Sequence, residues 1–414
     1  MSNLQGFEKF KRTNPMSDKI NALSFHHLEF FCGEALNVSK RFMASMGMEL
    51  AAKSDLSTGN DIFTSYVMQT GSVKMVFTAP YHNTDKSPEE TSPFPGFNSK
   101  TAGEFFIKHG FAARAIGWNV EDVEATFNTM VQNGGIPVLH PVLVKDFKGE
   151  KGSCMMAEVS LYGDAVVRLI DARNYTGGFL PNYEDVVAPG TKLGKYGIDR
   201  IDHIVGNVHN LQQTLTYLKN MTGFHEFAEF TAEDVGTVDS GLNSCVLANN
   251  SEMILLPVNE PTFGTRRKSQ IQTYLEQNEG EGVQHVAMFT ADIFGTLELM
   301  RQATAWGGFE FMPNQDHGYY ERVKGRIGEG AFTEEQYAMA EKMGILIDKD
   351  DQGILLQIFT KPIGDRPTIF FEIIQRVGCM TGAVQKPGCG GFGKGNFKDL
   401  FKSIEDYEND LKIN

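Results

Sequence analysis

The sequence predicts an α+β fold in which two open β-barrel domains are each built from two βαβββ modules, followed by a closing helix at the C-terminus. Segments of the first half reappear in the second half with the same order of strand, turn and helix. A stretch rich in Gly, Pro, Asn and Asp separates the halves. One module cannot bury both faces of its sheet, so paired modules are expected to curl around a pocket.

The composition excludes several classes of function. The chain has 414 residues, which is enough for two or three domains with full cores. Its net charge of -14 argues against general nucleic-acid binding, which needs a basic face. No apolar run approaches the roughly 18–20 residues of a membrane span. We therefore expect neither a nucleic-acid partner nor a membrane partner.

Residues 1–20 predict a flexible arm, because they lack the apolar core of a secretory signal. No clear transit peptide is visible, so the cytoplasm is the expected location. The five cysteines include no CxxC pair and indicate reduced thiols that serve as small hydrophobic side chains. They are Cys32, Cys154, Cys245, Cys379 and Cys389.

The repeat begins with a strand that carries a histidine. Residues 25–52 pass from this strand through a polar turn into an amphipathic helix, and residues 201–230 do the same. His27 and His203 hold the same place in these two segments. The repeat therefore predicts that each half places an imidazole at the same point of its barrel.

Two further pairs of segments extend the repeat. Arg114 stands at the place of His285 in the second pair, and Arg168 stands at the place of Glu372 in the third. Two fixed cations beside one imidazole would repel a divalent metal. We therefore expect the first half to be free of metal.

The last residues have apolar side chains at helical spacing. They predict one helix over 396–414, with Asn396 as its N-cap. The predicted parts of the chain are a flexible N-terminal arm (1–20), an N-terminal metal-free barrel domain (21–171), a linker (172–197), a C-terminal catalytic barrel domain (198–380), and a Gly-rich hinge with a C-terminal lid helix (381–414).

Three strands of the second half each carry one metal-competent side chain in an apolar run: His203, His285 and Glu372. Two histidines and one carboxylate form the facial triad typical of non-haem Fe(II), which leaves positions open for substrate and dioxygen. A buried carboxylate such as Glu372 needs a partner, and a cation is a natural one. Hydrolytic zinc uses the same ligand types, but the sequence has no HExxH helix. Ligands on strands of separate repeats favour iron.

The strands around the triad predict a neutral polar pocket with aromatic walls. Side chains two apart along a strand share one face, which places Phe370 beside Glu372. Amides and aromatic rings suit a neutral polar ligand such as a phenol; the alternative is that the Gln and Asn side chains face solvent. The pocket candidates are Ser244, Pro257, Asn259, Gln270, Gln284, Gln357, Phe359 and Phe370.

The segment GCGGFGKGNF at 388–397 partly matches a phosphate-binding loop. Gly395 stands where such a loop has Ser or Thr, so the magnesium ligand is missing. We expect instead a hinge for the terminal helix, with Gly393, Gly395 and Asn396 taking part.

Several motifs together resemble the 4-hydroxyphenylpyruvate dioxygenase family. They are RIDHIVGNV, LNSCVLA, LLPVNEP, KSQIQTYLE, GVQHVA, DDQGILLQIFTKP, RPTIFFEIIQR and GCGGFGKGNFKDLFKSIE. The resemblance covers nearly the whole chain, and the last two motifs look like the plant and algal members. The family has the vicinal oxygen chelate fold, which agrees with the repeated modules. The segment between Cys379 and Gly388 is somewhat shorter than in plant members.

The resemblance implies a role for each candidate residue. It implies Fe(II) as the cofactor, bound by His203, His285 and Glu372. It implies 4-hydroxyphenylpyruvate and dioxygen as substrates, with homogentisate and carbon dioxide formed by oxidative decarboxylation, ring hydroxylation and side-chain migration in tyrosine catabolism. A homodimer is the expected assembly. The implied substrate-pocket residues are Ser244, Asn259, Gln270, Gln284, Gln357, Phe359, Phe392 and Phe397.

Three alternatives remain open at this point. A 4-hydroxymandelate synthase oxidises the benzylic carbon of the same substrate, but its aromatic wall is typically smaller, so Phe359 and Pro257 favour homogentisate. An extradiol ring-cleaving dioxygenase shares the fold, but the Gly-rich closing segment points away from it. A non-enzymatic ligand-binding protein of the same fold would give no reason for an intact buried triad.

Overall fold

The computed structural model describes residues 4–82, 93–236, 241–313, 317–328, 330–382 and 384–413. The elements of the first half are, in chain order, β1 (Ala22–Phe31), α1 (Ala35–Met46), β2 (Glu49–Ser54), β3 (Phe63–Thr70), β4 (Val73–Pro80), α2 (Ser99–His109), β5 (Ala112–Val120), α3 (Val123–Gln132), β6 (Pro137–Lys145), β7 (Ser153–Tyr162), β8 (Ala165–Asp171) and β9 (Glu184–Asp185).

The second half repeats this order and adds helices between its strands and one at its end. Its elements are β10 (Ile198–Asn207), α4 (Leu211–Thr222), β11 (His225–Phe230), α5 (Ala232–Val235), β12 (Leu242–Ala248), β13 (Leu255–Pro261), α6 (Gln270–Gln277), β14 (Gly282–Thr290), α7 (Ile293–Thr304), α8 (His317–Ile327), α9 (Glu334–Met343), β15 (Leu346–Lys349), β16 (Gly353–Phe359), β17 (Phe370–Gly378), β18 (Met380–Thr381), β19 (Val384–Gln385) and α10 (Phe397–Leu411).

Each half forms one curled sheet. The strand order is β6-β7-β8-β5-β1-β4-β3-β2-β9 in the first sheet and β11-β12-β13-β10-β14-β17-β16-β15 in the second. An antiparallel pair lies at the centre of each, β1 with β5 and β10 with β14, and a parallel neighbour flanks every one of these four strands. The pairing yields two βαβββ modules per sheet, which confirms the predicted α+β architecture.

The strand register confirms one equivalence between the halves. Gly117 pairs with His27 across the first central pair, and Ala287 pairs with His203 across the second. Gly117 and Ala287 therefore hold equivalent places. Arg168 pairs with the first of them and Glu372 with the second, so the predicted equivalence of Arg168 and Glu372 is confirmed.

The same register corrects another equivalence. Two places before Ala287 stands His285, and two places before Gly117 stands Ala115. The predicted partner, Arg114, is therefore wrong by one residue. Because side chains alternate between the faces of a strand, this slip assigns a side chain of the wrong face. The first half has an alanine, and not a second cation, at the place of His285.

The segments outside the modules are packed against them. Residues 172–197 mostly lack regular structure, but β9 pairs with β2, and Phe179, Leu180 and Tyr183 are buried in the core of the first half. Residues 4–21, predicted as a flexible arm, contain no helix or strand. The Phe7 ring nevertheless stacks on a ring of the second half, with centroids 5.5 Å apart.

The cysteines are not all free thiols. Cys32, Cys154 and Cys245 are free and buried, as predicted. Cys379 and Cys389 form a disulfide, so the expectation of reduced thiols is wrong for them. The short hairpin of β18 and β19 returns the chain on itself after β17, which brings Cys389 back to the end of that strand. A sequence spacing alone does not reveal such a return.

The terminal helix runs from Phe397 to Leu411. Asn396 holds the N-cap position, as predicted, but its side chain makes no capping hydrogen bond. Its Oδ1 instead accepts hydrogen bonds from the Tyr319 hydroxyl at 2.9 Å and from Arg326 at 3.2 Å. Tertiary partners have replaced the local capping bond. Within the described part of the chain, no helix has the length and apolar character needed to cross a membrane.

Candidate metal centre

The three predicted ligands lie on strands at the middle of the second sheet. β10 and β14 form the central pair, and β17 runs parallel to β14 on its other side. The Glu372 Oε2 atom lies 3.2 Å from His203 Nε2 and 3.5 Å from His285 Nε2. Three donors on separate strands thus converge on one point, as the sequence predicted.

The outer nitrogen of each imidazole has its own partner. His203 Nδ1 lies 2.8 Å from Asp202 Oδ2, and His285 Nδ1 lies 2.9 Å from Gln284 Oε1. Both partners can accept a hydrogen bond from Nδ1, and in the tautomer with Nδ1 protonated each Nε2 can offer its lone pair to a metal. This tautomer is the one that binds a metal through Nε2.

The electrostatics of the site depend on burial and on charge. Burial opposes the ionised form of Glu372, but hydrogen bonds to His203 and His285 outweigh it and lower the pKa of the carboxyl. Burial also opposes the charged form of His285, and there it prevails, so the pKa of His285 is lowered. At His203 the effect of burial is overcome by Asp202 and Glu372, and the pKa is raised. A carboxylate and two imidazoles held this way present a negative, preorganised donor set.

A second carboxylate and an arginine lie directly behind the donors. Arg376 donates to both carboxylate oxygens of Asp202, at 2.9 Å and 2.7 Å. Burial would raise the pKa of Asp202, but Arg376 holds it far below its usual range. Neither residue was among those predicted from the sequence. Each carried a signal: Asp202 precedes a ligand, and Arg376 follows Glu372 by four positions on the same strand face.

The donors form the floor of a cavity of about 650 Å³. All predicted pocket residues line it, together with Gly393 of the predicted hinge. Gly395 and Asn396 do not line it; they belong to the turn behind the cavity. The predicted residues at the wall are Ser244, Pro257, Asn259, Gln270, Gln284, Gln357, Phe359, Phe370, Phe392 and Phe397. Apolar wall residues that the prediction did not include are Val205, Phe230, Leu242, Val246, Leu355, Ile374, Leu400, Phe401 and Ile404.

The amides of the wall differ in their hydrogen bonding. Asn259 Nδ2 donates to Asn207 Oδ1 at 3.2 Å and lies 3.4 Å from Gln284 Oε1. The same Gln284 oxygen lies 2.9 Å from His285 Nδ1, so Asn259 and Gln284 are linked to a metal ligand. Gln357 is 3% exposed, yet its Oε1 has no hydrogen-bond partner. A buried acceptor without a donor is costly, so a ligand with a hydroxyl group fits this place.

The terminal helix α10 contributes apolar side chains to the wall of the cavity. Leu400, Phe401 and Ile404 turn one face of α10 towards the cavity. Gly393 has φ +71°, and a Cβ there would lie 2.3 Å from Gln357 Oε1. Only glycine combines this backbone conformation with so close an approach. Gly393 therefore allows the loop that contains it to lie directly against the Gln357 amide.

The donor set fits a divalent metal. Of the described residues, His203, His285 and Glu372 form one of two groups whose ligand atoms lie within 4.8 Å of one another. In the other, Glu226 is already bound by Lys219. At the centre, the Nε2 atoms of two imidazoles converge on a carboxylate, and a bound cation would take the place of the hydrogen bonds that Glu372 makes with His203 and His285. Two nitrogens and one oxygen suit a first-row metal with open coordination positions.

The fold and site define a class of protein: a metal-dependent enzyme of the vicinal oxygen chelate fold. Comparison with known structures agrees on the fold. A variant of 4-hydroxymandelate synthase from Streptomyces coelicolor superposes with a TM-score of 0.75 at 21% identity, covering 94% of this chain and 99% of that one. No family model matches the chain.

Comparison with known sequences identifies the family. The chain is 53% identical to a 4-hydroxyphenylpyruvate dioxygenase of Daucus carota, over 99% of this chain and 92% of that protein. It is 51% identical to that of Arabidopsis thaliana, over 99% and 93%, and 34% identical to that of Pyricularia oryzae, over 92% and 90%. The chain belongs to the 4-hydroxyphenylpyruvate dioxygenase family and is an oxidoreductase.

Proposed function

We propose that the chain is an Fe(II)-dependent dioxygenase that converts 4-hydroxyphenylpyruvate and dioxygen to homogentisate and carbon dioxide. One observation carries the proposal. In a chain with this family membership, His203, His285 and Glu372 converge at the floor of a cavity that also presents amides and aromatic rings. Such a cavity has room for a phenol with an α-keto acid arm.

The residues that would hold Fe(II) are His203, His285 and Glu372. Bound there, the metal would supply the open positions at which an α-keto acid and dioxygen are held and activated. The partners of Nδ1 support this assignment, because Asp202 and Gln284 can hold the tautomer in which both Nε2 lone pairs are free for it.

The remaining wall residues would orient the substrate. Gln357 offers its unpaired Oε1 as an acceptor for the phenol hydroxyl. The ring of Phe370 stacks on His285, with centroids 4.9 Å apart, and Phe359 stands edge-on to both. Two rings held this way limit the substrate ring to one plane, which reduces the entropic barrier of the reaction.

The lid would exclude water from the reacting groups. Phe392 stands edge-on to His203 at 5.1 Å, and Phe397 begins the helix that covers the cavity. A dry cavity strengthens the hydrogen bonds that hold the substrate and protects reactive species from water. The predicted hinge at Gly393, Gly395 and Asn396 would let this cover move for substrate entry and product release.

The test is oxygen consumption with 4-hydroxyphenylpyruvate and Fe(II), with the product identified by chromatography. We expect one homogentisate per dioxygen consumed. Exclusive formation of 4-hydroxymandelate would overturn the assignment, and ligand binding without oxygen uptake would identify a non-enzymatic protein. His203→Ala should abolish turnover. Arg168→Gln, in the first half, serves as the control and should retain it.

Assembly and location complete the proposal. We propose a homodimer, because β6 forms an outer edge of the first sheet and exposes Val138 and Leu143. We also propose a cytoplasmic location, with which the free thiols of Cys32, Cys154 and Cys245 agree, whereas a bridge such as Cys379–Cys389 is uncommon there. The second half would be the catalytic domain and the first half the metal-free one. Light scattering and a fluorescent fusion would test the first two statements.

A further inference from the structure

The guanidinium of Arg376 joins two parts of the site that are distant in sequence. Nε and Nη2 donate to the carboxylate of Asp202, as described above, while Nη1 donates to the backbone carbonyls of Cys389 at 2.6 Å and Gly391 at 2.7 Å. The Arg376 side chain is fully buried. One rigid planar group therefore contacts both the strand that carries a metal ligand and the loop that leads to the lid.

Both contacts of Arg376 lead to the same imidazole. On one side, Asp202 holds His203 Nδ1 at 2.8 Å. On the other side, Gly391 is followed by Phe392, whose ring stands 5.1 Å from the His203 ring. The orientation of His203 thus depends on a carboxylate and on a loop, and Arg376 fixes the position of each.

A purely structural ion pair would not need this arrangement. The first half offers a comparison, because Arg168 is also buried and pairs with Glu29 and Glu158, each at 2.7 Å. The hydrogen bonds that Arg168 makes go to side chains. Arg376, in contrast, donates from one nitrogen to two backbone carbonyls of a loop. A lysine could not satisfy a carboxylate fork and two carbonyls from one planar group.

We propose that Arg376 is a positioning residue that couples the closed position of the loop at 388–393 to the orientation of His203. Closing the loop seats the carbonyls of Cys389 and Gly391 on Nη1, which fixes the guanidinium. The fixed guanidinium then holds Asp202, and Asp202 holds the ring. Metal binding and loop closure favour each other through this path. The part of the proposal that concerns metal binding rests on the proposed function, whereas the part that concerns the loop does not.

The test uses the full chain, stripped of metal, with a reductant present because the Cys379–Cys389 bridge also tethers the loop. Two readouts are needed: Co(II) affinity by calorimetry, and hydrogen exchange of the backbone amides of 389–397 with and without Co(II). In the wild type, Co(II) should slow exchange in this segment. The variants are Arg376→Gln and Asp202→Asn, with Arg168→Gln as the control for a buried arginine without a loop contact.

The variants should separate the effect on metal binding from the effect on the loop. Asp202→Asn keeps the loop bonds, so exchange without metal should match the wild type while Co(II) affinity falls about 10–100-fold. Arg376→Gln should lose affinity by a similar factor, raise exchange without metal about tenfold or more, and no longer slow exchange when Co(II) binds. Arg168→Gln should leave both readouts at wild-type values, even if its melting temperature falls.

Several results would overturn the coupling. Wild-type Co(II) affinity in Arg376→Gln, or wild-type slowing of exchange by Co(II) in that variant, contradicts it. Should Arg376→Gln not fold, Arg376→Lys replaces it, and wild-type values in both readouts contradict the proposal equally. If the wild type binds no Co(II), the proposed function fails; unchanged exchange in metal-free Arg376→Gln would then separately reject the part that concerns the loop.

Discussion

The N-terminal arm reaches the rings that begin the lid, and removing one side chain should detach it. Phe7 stacks on Phe230, and Phe230 in turn packs against Phe397 with centroids 5.2 Å apart. The ammonium group of Lys394 lies 4.3 Å from the centre of the Phe7 ring. Phe7→Ala removes the ring and leaves the backbone N–H of residue 7 bound to Asp234 at 3.0 Å.

The free energy lost in Phe7→Ala follows from the burial of the Phe7 side chain. Phe7 is 38% exposed, so roughly three-fifths of its surface is buried. Full burial of a phenylalanine stabilises by about 1.5–3 kcal/mol, which scales to about 1–2 kcal/mol here. An aromatic pair adds about 0.5–1.5 kcal/mol. A loss of about 2 kcal/mol corresponds to about a 30-fold rise in the detached population of the arm.

The assay is hydrogen exchange at the arm and at the first turn of the lid helix. Exchange of the Gln5 amide, which donates to Glu229 at 2.8 Å, should rise about 30-fold. Exchange at 397–401 should rise by a smaller factor, because the sheet still supports that helix. Phe147→Ala is the matched control, since Phe147 is 51% exposed and lies in the first half. Unchanged exchange at Gln5 would show that the Phe7 ring does not hold the arm in place.

Three other perturbations test the site and the first half. Cys389→Ser opens a bridge with a sequence separation of 10 and should cost roughly 2–3 kcal/mol of unfolding free energy in urea under oxidising conditions; equal urea midpoints would mean that the bridge to Cys379 does not form. Glu372→Gln should weaken Co(II) binding by about 100-fold or more in calorimetry, and undiminished affinity would place the metal elsewhere. Burial and the neighbouring His26 hold the pKa of His27 well below its ordinary value of 6.5, so the unfolded chain takes up the proton first. Stability should therefore be intact above pH 6.5 and fall below it, by up to about 1.4 kcal/mol per pH unit, and His27→Gln should flatten that decline in urea titrations; an unchanged slope would contradict it.

The triad could be predicted because each ligand is a polar side chain within an apolar strand. A carboxylate at Glu372 or an imidazole at His203 and His285 stands out in an apolar strand, and the repeat shows that such strands can meet. The pocket amides followed from alternation along the same strands. Both features follow from the local pattern and the period of the strand, which a single sequence displays.

The supporting contacts could not be predicted in the same way. Arg376 reaches Asp202 from β17, and β14 lies between that strand and β10. The Cys379–Cys389 bridge depends on the path of a hairpin, and the seat of Phe7 depends on where a segment without periodicity meets a folded domain. Each is a contact between elements whose relative position only the tertiary structure sets.

The two halves balance a buried charge at the same point in opposite ways. In the first half, Arg168 supplies the cation itself, and Glu29 and Glu158 bind it. Arg168 Nη1 also lies 3.0 Å from His27 Nε2, so the nitrogen equivalent to a metal donor is already engaged. Ala115 offers no ligand.

Exchanging Arg168 for a carboxylate would therefore not create a metal site in the first half. It would leave three carboxylates near His27, and Ala115 would supply no counterpart of His285. Uncompensated buried charge costs several kcal/mol, so the first half would lose stability before it gained a ligand. In the second half the same backbone position carries Glu372, which contacts His203 and His285, and under the proposed function a bound metal supplies the cation there. The difference between an internal and an external cation is what separates the two barrels chemically.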